Sequence, residues 1–154
     1  MGELEVRMVK LEPMRVASAH AYSASPEGDA WNKLVAWAGP KGLLEDRASY
    51  RIFGFNNPDP SPGSPNYGYE FWIEVGPEVE VEGEIEIKAF SGGRYAVTRC
   101  VGVPQIGETW KRLNTWIEDS PNQHGSDQWL EQNISPGEVV PEEELVLDLH
   151  YPVR

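Results

Sequence analysis

Residues 109–119 read TWKRLNTWIED, and within them WKRLNTW (110–116) matches WNKLVAW (31–37). Trp31, Leu34 and Trp37 fall on Trp110, Leu113 and Trp116 at one offset, 79 residues (110 minus 31). At 100° per residue each Trp–Leu–Trp set occupies an arc of about 120°, the apolar stripe that a helix lays on a sheet. The offset also holds upstream. Arg15 meets Arg94, Ala17 meets Ala96 and Gly28 meets Gly107, while Asp29 meets Glu108 and Lys33 meets Arg112. The register runs without a gap from a strand into a helix, which favours a duplicated unit over chance. A period this long is no solenoid repeat; two copies make a pseudo-twofold pair. Further on, GYEFWIEV (68–75) lies on VLDLHYPV (146–153) at offset 78, so Glu70 meets Asp148 and Trp72 meets His150.

Each copy therefore reads strand–helix–strand–strand, roughly 4–76 and 83–154, within one domain of residues 1–154. The expected class is α+β: a mostly antiparallel sheet with both helices on one face and a ligand groove on the other. The first strand should break or bulge near Pro13. Ser25 or Asp29 is the expected cap of the first helix, and Gly39-Pro40 its stop or kink. SYRIFGF (49–55) reads as a short strand. NNPDPSPGSPNYG (56–68) is a loop, read either as a semi-rigid lid or as a plain connection. EVEVEGEIEIKAF (78–90) alternates as a half-exposed strand interrupted at Gly83. SDQWLEQ (126–132) reads as a short third helix, and EELVLDLHYPV (143–153) closes the chain as a strand.

The chain has 154 residues and a net charge of −12. Its 13 Lys and Arg are scattered singly, so the basic face that nucleic-acid binding requires is missing and direct DNA binding is not expected. An acidic surface suits solubility or a cationic ligand. Cys100 is the single cysteine, which leaves no internal disulfide and no sign of secretion. No stretch approaches the roughly 20 apolar residues of a membrane span. A cytoplasmic protein is the default. Cys100 lies in an expected strand and reads as a buried structural thiol. His20, His124 and His150 show no metal-ligand spacing, so neither metal nor cofactor is expected.

Strand alternation selects the candidate site. In YEFWIEV (69–75), Tyr69, Phe71, Ile73 and Val75 share the helix face, leaving Glu70, Trp72 and Glu74 on the other. In the closing strand, Leu145, Leu147, Leu149 and Tyr151 form the apolar set, and Val146, Asp148 and His150 the other. Both copies thus set an acid and, two residues on, an aromatic ring away from the helices.

This plan resembles the GyrI-like small-molecule-binding family, the effector-binding domain of AraC-type and MerR-type regulators. The resemblance rests on the duplicated units, on GGRYAVTRCVG (92–102) feeding IGETWKRLNTWIEDS (106–120), and on the ending Asp148-Leu149-His150-Tyr151-Pro152. It implies a groove between the copies for flat, apolar, often cationic compounds, recognised by a buried carboxylate among aromatic rings. Carried over by position, Asp148 stands where Glu is commoner and His150 where Tyr is commoner, so a shorter acid and a pH-sensitive ring occupy those places. The ligand-binding set is Glu70, Trp72, Asp148 and His150, with Tyr67 and Trp129 as outlying members. Strand-like sequence begins by Leu4, so the DNA-binding helical segment of the regulators has no counterpart and a stand-alone domain is expected.

Three function classes stay open. The first is a binder that senses or sequesters a small molecule, of multidrug type. The second is a hydrolase of cyclopropane-bearing DNA-alkylating natural products, with Glu70 or Asp148 as the base. The third is a protein-binding inhibitor of the gyrase-directed kind, which would take a protein partner; the acid run PEEE (141–144) is its nearest candidate.

Overall fold

The computed structural model describes residues 4–46, 48–81, 83–134 and 142–154. In chain order the elements are β1 (Arg7–Leu11), β2 (Met14–Ser23), α1 (Pro26–Ala38), β3 (Ile52–Asn56), β4 (Tyr67–Glu74), β5 (Glu86–Phe90), β6 (Gly93–Val101), α2 (Ile106–Glu118), β7 (Leu130–Asn133) and β8 (Val146–Val153). The class is α+β. Two compact units divide the chain: residues 14–90, and residues 1–13 together with 91–154.

In the first unit, β2 pairs antiparallel with β4 and β5, and β4 pairs with β3, giving the order β3-β4-β2-β5. In the second, β6 pairs antiparallel with β1 and β8, and β8 pairs with β7, giving β7-β8-β6-β1. The two orders are the same. The outer strand beside β2 or β6 comes from different places: β5 (Glu86–Phe90) directly follows the first copy, whereas β1 (Arg7–Leu11) lies at the start of the chain, ahead of both copies. The expected break at Pro13 is therefore a full change of unit: β1 joins residues 91–154 while β2 begins residues 14–90.

The repeat offsets also fix the strand register. His20 faces Glu70 as Arg99 faces Asp148, and Ser18 faces Trp72 as Val97 faces His150. Helix α1 covers one face of its sheet, where Ala17, Ala19, Tyr69, Phe71 and Ile73 pack with Ala30, Leu34 and Trp37. Helix α2 does the same with Leu113 and Ile117 over Ala96, Cys100, Leu147, Leu149 and Tyr151. Full burial of one such leucine contributes about 1.5–3 kcal/mol. Of the four stripe tryptophans, Trp37 is buried and Trp31, Trp110 and Trp116 are half-buried against these cores.

Three local expectations are corrected. Ser25 holds the N-cap position of α1 without a side-chain cap bond; the Ser23 hydroxyl donates to Asp29 and accepts from the Ser25 amide instead. The alternating acids of 78–90 form strand only over Glu86–Phe90, because a turn precedes them and Gly83 takes φ +65°. SDQWLEQ is not a helix. Its second half is β7, whose Leu130–Asn133 pair with β8, so cross-strand bonding overrides the local helical reading. Of the acid run, Glu143 and Glu144 are exposed in a 3-10 turn over Glu142–Glu144, and Pro141 lies outside the described residues.

Candidate functional site

Glu70 and Trp72 stand together on the face of β4 turned away from α1, as alternation requires. They do not line an open surface. Glu70 is 1% exposed. Its Oε2 accepts from Ser18 Oγ at 2.7 Å, Trp72 Nε1 at 2.6 Å and Lys88 Nζ at 2.7 Å, and Oε1 accepts from Asn57 Nδ2 at 3.0 Å. The Trp72 ring is held between Phe55 (centroids 4.8 Å apart) and Phe90 (5.5 Å). Four donors, one of them the Lys88 ammonium, satisfy this carboxylate inside the chain.

Asp148 and His150 form the matching pair on β8. Asp148 is 1% exposed, with Arg99 donating Nε to Oδ1 at 2.9 Å and Nη2 to Oδ2 at 3.2 Å, and Arg7 donating Nη2 to Oδ2 at 2.6 Å. Buried His150 contacts the carbonyl of Asp148 through Nδ1 at 2.9 Å and meets the Tyr95 ring edge-on. A carboxylate awaiting a ligand cation was the expectation at both positions. The structure corrects it: each acid already has its own cation, supplied by an edge strand and, for Asp148, by the cross-strand neighbour as well. Ser18, Asn57, Lys88, Arg7 and Arg99 escaped the sequence reading because they lie 13 to 141 residues from their partners.

Burial alone would raise both acids. At Glu70 the hydrogen bonds from Lys88, Ser18, Asn57 and Trp72 outweigh it and hold the group below its ordinary 4.5. At Asp148 the two guanidiniums, Arg99 ahead of Arg7, do the same below 3.8. Both acids therefore bind protons less readily folded than unfolded. Their stabilisation is whole above the unfolded values and is lost as pH falls through them towards the folded ones. Urea midpoints should stay level from pH 7 to about 5 and drop steeply below about 4.5. A profile level down to pH 3 would contradict these pairings.

Tyr67 and Trp129 lie elsewhere. Tyr67 is on the helix side of β4, two residues before Tyr69, and its hydroxyl donates to Glu27 of α1 at 2.7 Å. That bond, with burial, pushes the phenol up to about 12. It ties the first turn of α1 to the sheet and stands apart from Glu70.

Trp129 precedes β7 on the α2 side of the second unit. The residue is 44% exposed, and its ring centroid lies 4.2 Å from that of Tyr151 and 5.2 Å from that of Trp110. Trp110 Nε1 donates to Glu131 Oε2 at 3.2 Å. The Tyr151 hydroxyl donates to Asn114 Oδ1 at 2.8 Å and contacts His124 Nδ1 at 3.1 Å. Burial first, and the Glu118 carboxylate second, push the Tyr151 phenol up. Three rings thus form a shelf with one exposed member and two carboxylates, Glu131 and Glu118, beside it. Among the described residues the first unit has no matching shelf: by strand register Ile52 stands for Trp129 and Gly54 for Glu131. A shallow concavity of about 530 Å³ lies on another side of α2, between the Leu4 segment and Trp116. Glu108, Asp119, Lys111 and Arg112 around it offset one another's charge, and it offers no comparable ring cluster.

Cys100 lies under α2. Burial pushes its thiol up, and its Sγ sits 3.8 Å from the Gly102 carbonyl. Iodoacetamide should modify it only in denaturant; modification of the folded protein at the rate of a free thiol would show the site to be open.

Among the described residues no helix is long and apolar enough to cross a membrane. Similar solved structures cover nearly the whole chain at low identity. A hydrolase from Listeria innocua matches with a TM-score of 0.71 at 10% identity, covering 100% of this chain and 94% of that one. The C-terminal domain of EcmrR matches with a TM-score of 0.69 at 16% identity, covering 98% of both chains. SAV2435, solved bound to tetraphenylphosphonium, matches with a TM-score of 0.60 at 13% identity, covering 98% of this chain and 94% of that one. At these identities the likenesses speak for the fold. No curated protein matches the chain. The model of the GyrI-like small molecule binding domain matches residues 4–154, and the chain belongs to that family.

Proposed function

We propose that this small-molecule-binding domain receives a flat, apolar, cationic compound on the Trp129 shelf, and that the Glu70 and Asp148 clusters stabilise the fold. The single observation that carries this reading is the Trp129 ring, 44% exposed yet fixed at 4.2 Å from Tyr151 beside the Glu131–Trp110 pair. Unpaired ring surface on a rigid base binds at little entropic cost, and stacking or cation–π contact adds about 0.5–2 kcal/mol. The two acids beside it favour positive charge. The phosphonium held by a structural neighbour shares the apolar, cationic character, with its four phenyl rings set tetrahedrally around the charge rather than in one plane.

A hydrolytic reading at Glu70 or Asp148 draws no support from the geometry. A general base needs a lone pair open to water. Glu70 has four donors and Asp148 three, and both are held ionised.

Isothermal titration with acridine orange, a planar cation, and coumarin, a neutral planar ligand, tests the proposal. Glu131→Gln should weaken the cation about three- to tenfold and leave coumarin within about twofold. Equal loss for both would assign Glu131 a purely structural role. An absence of binding by either ligand to the wild type would remove the shelf as the site.

A further inference from the structure

The cluster at Asp148 carries more positive charge than a buried carboxylate needs. Arg99 engages it with two nitrogens, at 2.9 and 3.2 Å, and such a fork-to-fork pair is neutral by itself. Arg7 adds a third bond at 2.6 Å and a second positive charge. Two guanidiniums and one carboxylate leave a local +1 in a chain whose net charge is −12. The corresponding cluster in the other unit shows no such excess. Among the described residues Glu70 there pairs with one cation, Lys88, and His20, in the register position of Arg99, has its Nε2 against the Asn57 carbonyl at 2.6 Å.

The placement of the two arginines makes the surplus charge usable. Arg99 faces Asp148 directly across β6 and β8. Arg7 faces Val97, two residues along β6, and so lies diagonally on the same face. Their side chains are 54% and 53% exposed, against 2% for Asp148. The buried acid therefore grips the inner edge of each guanidinium. Arg99 keeps Nη1, and Arg7 keeps Nε and Nη1, on groups that reach water. Both gripping Nη2 atoms share one oxygen, Oδ2, so the two forks stand side by side. Asp148 is their one paired carboxylate among the described residues.

We infer that Arg7 and Arg99, oriented by Asp148, form a binding site for the oxyanion of a small molecule, a carboxylate or a phosphoryl group. Asp148 is the positioning residue, and the two outer guanidinium edges are the donors. Planar forks match both kinds of oxyanion, so chemistry shared by the two defines the site. It lies on the face of β8 opposite Tyr151 and is separate from the Trp129 shelf.

The test follows the arginine Nε–H resonances by NMR while inorganic phosphate or acetate replaces chloride at constant ionic strength. Saturable shifts of Arg7 and Arg99 are expected with at least one of the two anions. Saturation by phosphate alone assigns the site to phosphoryl groups, by acetate alone to carboxylates, and by both to oxyanions in general. Arg7→Gln keeps the Arg99–Asp148 pair, so the fold is retained, and it should weaken the anion about tenfold. Lys10→Gln, which removes an exposed cation from the same strand, should leave affinity unchanged. Any of three results overturns the inference: no saturable shift with either anion, unaltered affinity in Arg7→Gln, or equal losses in Arg7→Gln and Lys10→Gln.

Discussion

Trp129→Ala is expected to weaken binding of tetraphenylphosphonium about 30-fold, the loss of roughly 2 kcal/mol that a central aromatic contact represents. The residue is 44% exposed, and its ring is tilted against Tyr151 and Trp110. Its removal takes away the stacking surface and leaves the carboxylates of Glu131 and Glu118 in place. Stability should fall by only about 1 kcal/mol, since two ring contacts are lost from a half-exposed side chain. Trp129→Phe should recover most of the affinity, because a smaller ring still stacks. Equilibrium dialysis with the three proteins checks both statements. A Trp129→Ala protein that binds as tightly as wild type would contradict the assignment of the shelf.

Glu70→Leu should have the reverse profile, with a loss of about 3–5 kcal/mol in stability and little change in affinity for protein that remains folded. The substitution strands the Trp72 indole N–H and the Ser18 hydroxyl in a buried position, each costing about 1–3 kcal/mol. Lys88, with its side chain 40% exposed, can turn to water and adds little to the loss. Against a total near 5–15 kcal/mol for a domain, such a loss leaves the fold marginal. Urea denaturation measures it. A change under about 1 kcal/mol would mean that the four hydrogen bonds to Glu70 contribute little, and the structural role given to this cluster would fail.

The duplication could be read from the sequence because both copies keep the ring spacing of their helices and the alternation of their strands. Those two periodicities placed Glu70, Trp72, Asp148 and His150 on the faces turned away from the helices, where the structure has them. Alternation reports which side a residue takes and is silent on how far that side is covered. Hence both acids read as awaiting a ligand cation when each already has a cation of its own. Their partners were hidden by chain distance: Arg7 reaches Asp148 across 141 residues, through an edge strand exchanged between the two halves. Trp129 was underrated for a different reason. Its neighbours suggested a short helix, whereas pairing of the next four residues with β8 makes it the residue before a strand and lays its ring on Tyr151. Tyr67 shares the helix side with Tyr69 by the same alternation, and its bond to Glu27 follows from that.

The most direct measurement is tryptophan fluorescence quenching by tetraphenylphosphonium in wild type, Asp148→Asn and Trp129→Ala. Saturable quenching is expected in wild type and in Asp148→Asn with the same midpoint, and in Trp129→Ala with a midpoint about 30-fold higher. Quenching that disappears in Asp148→Asn and keeps the wild-type midpoint in Trp129→Ala would remove the ligand from the shelf and return it to the buried carboxylate.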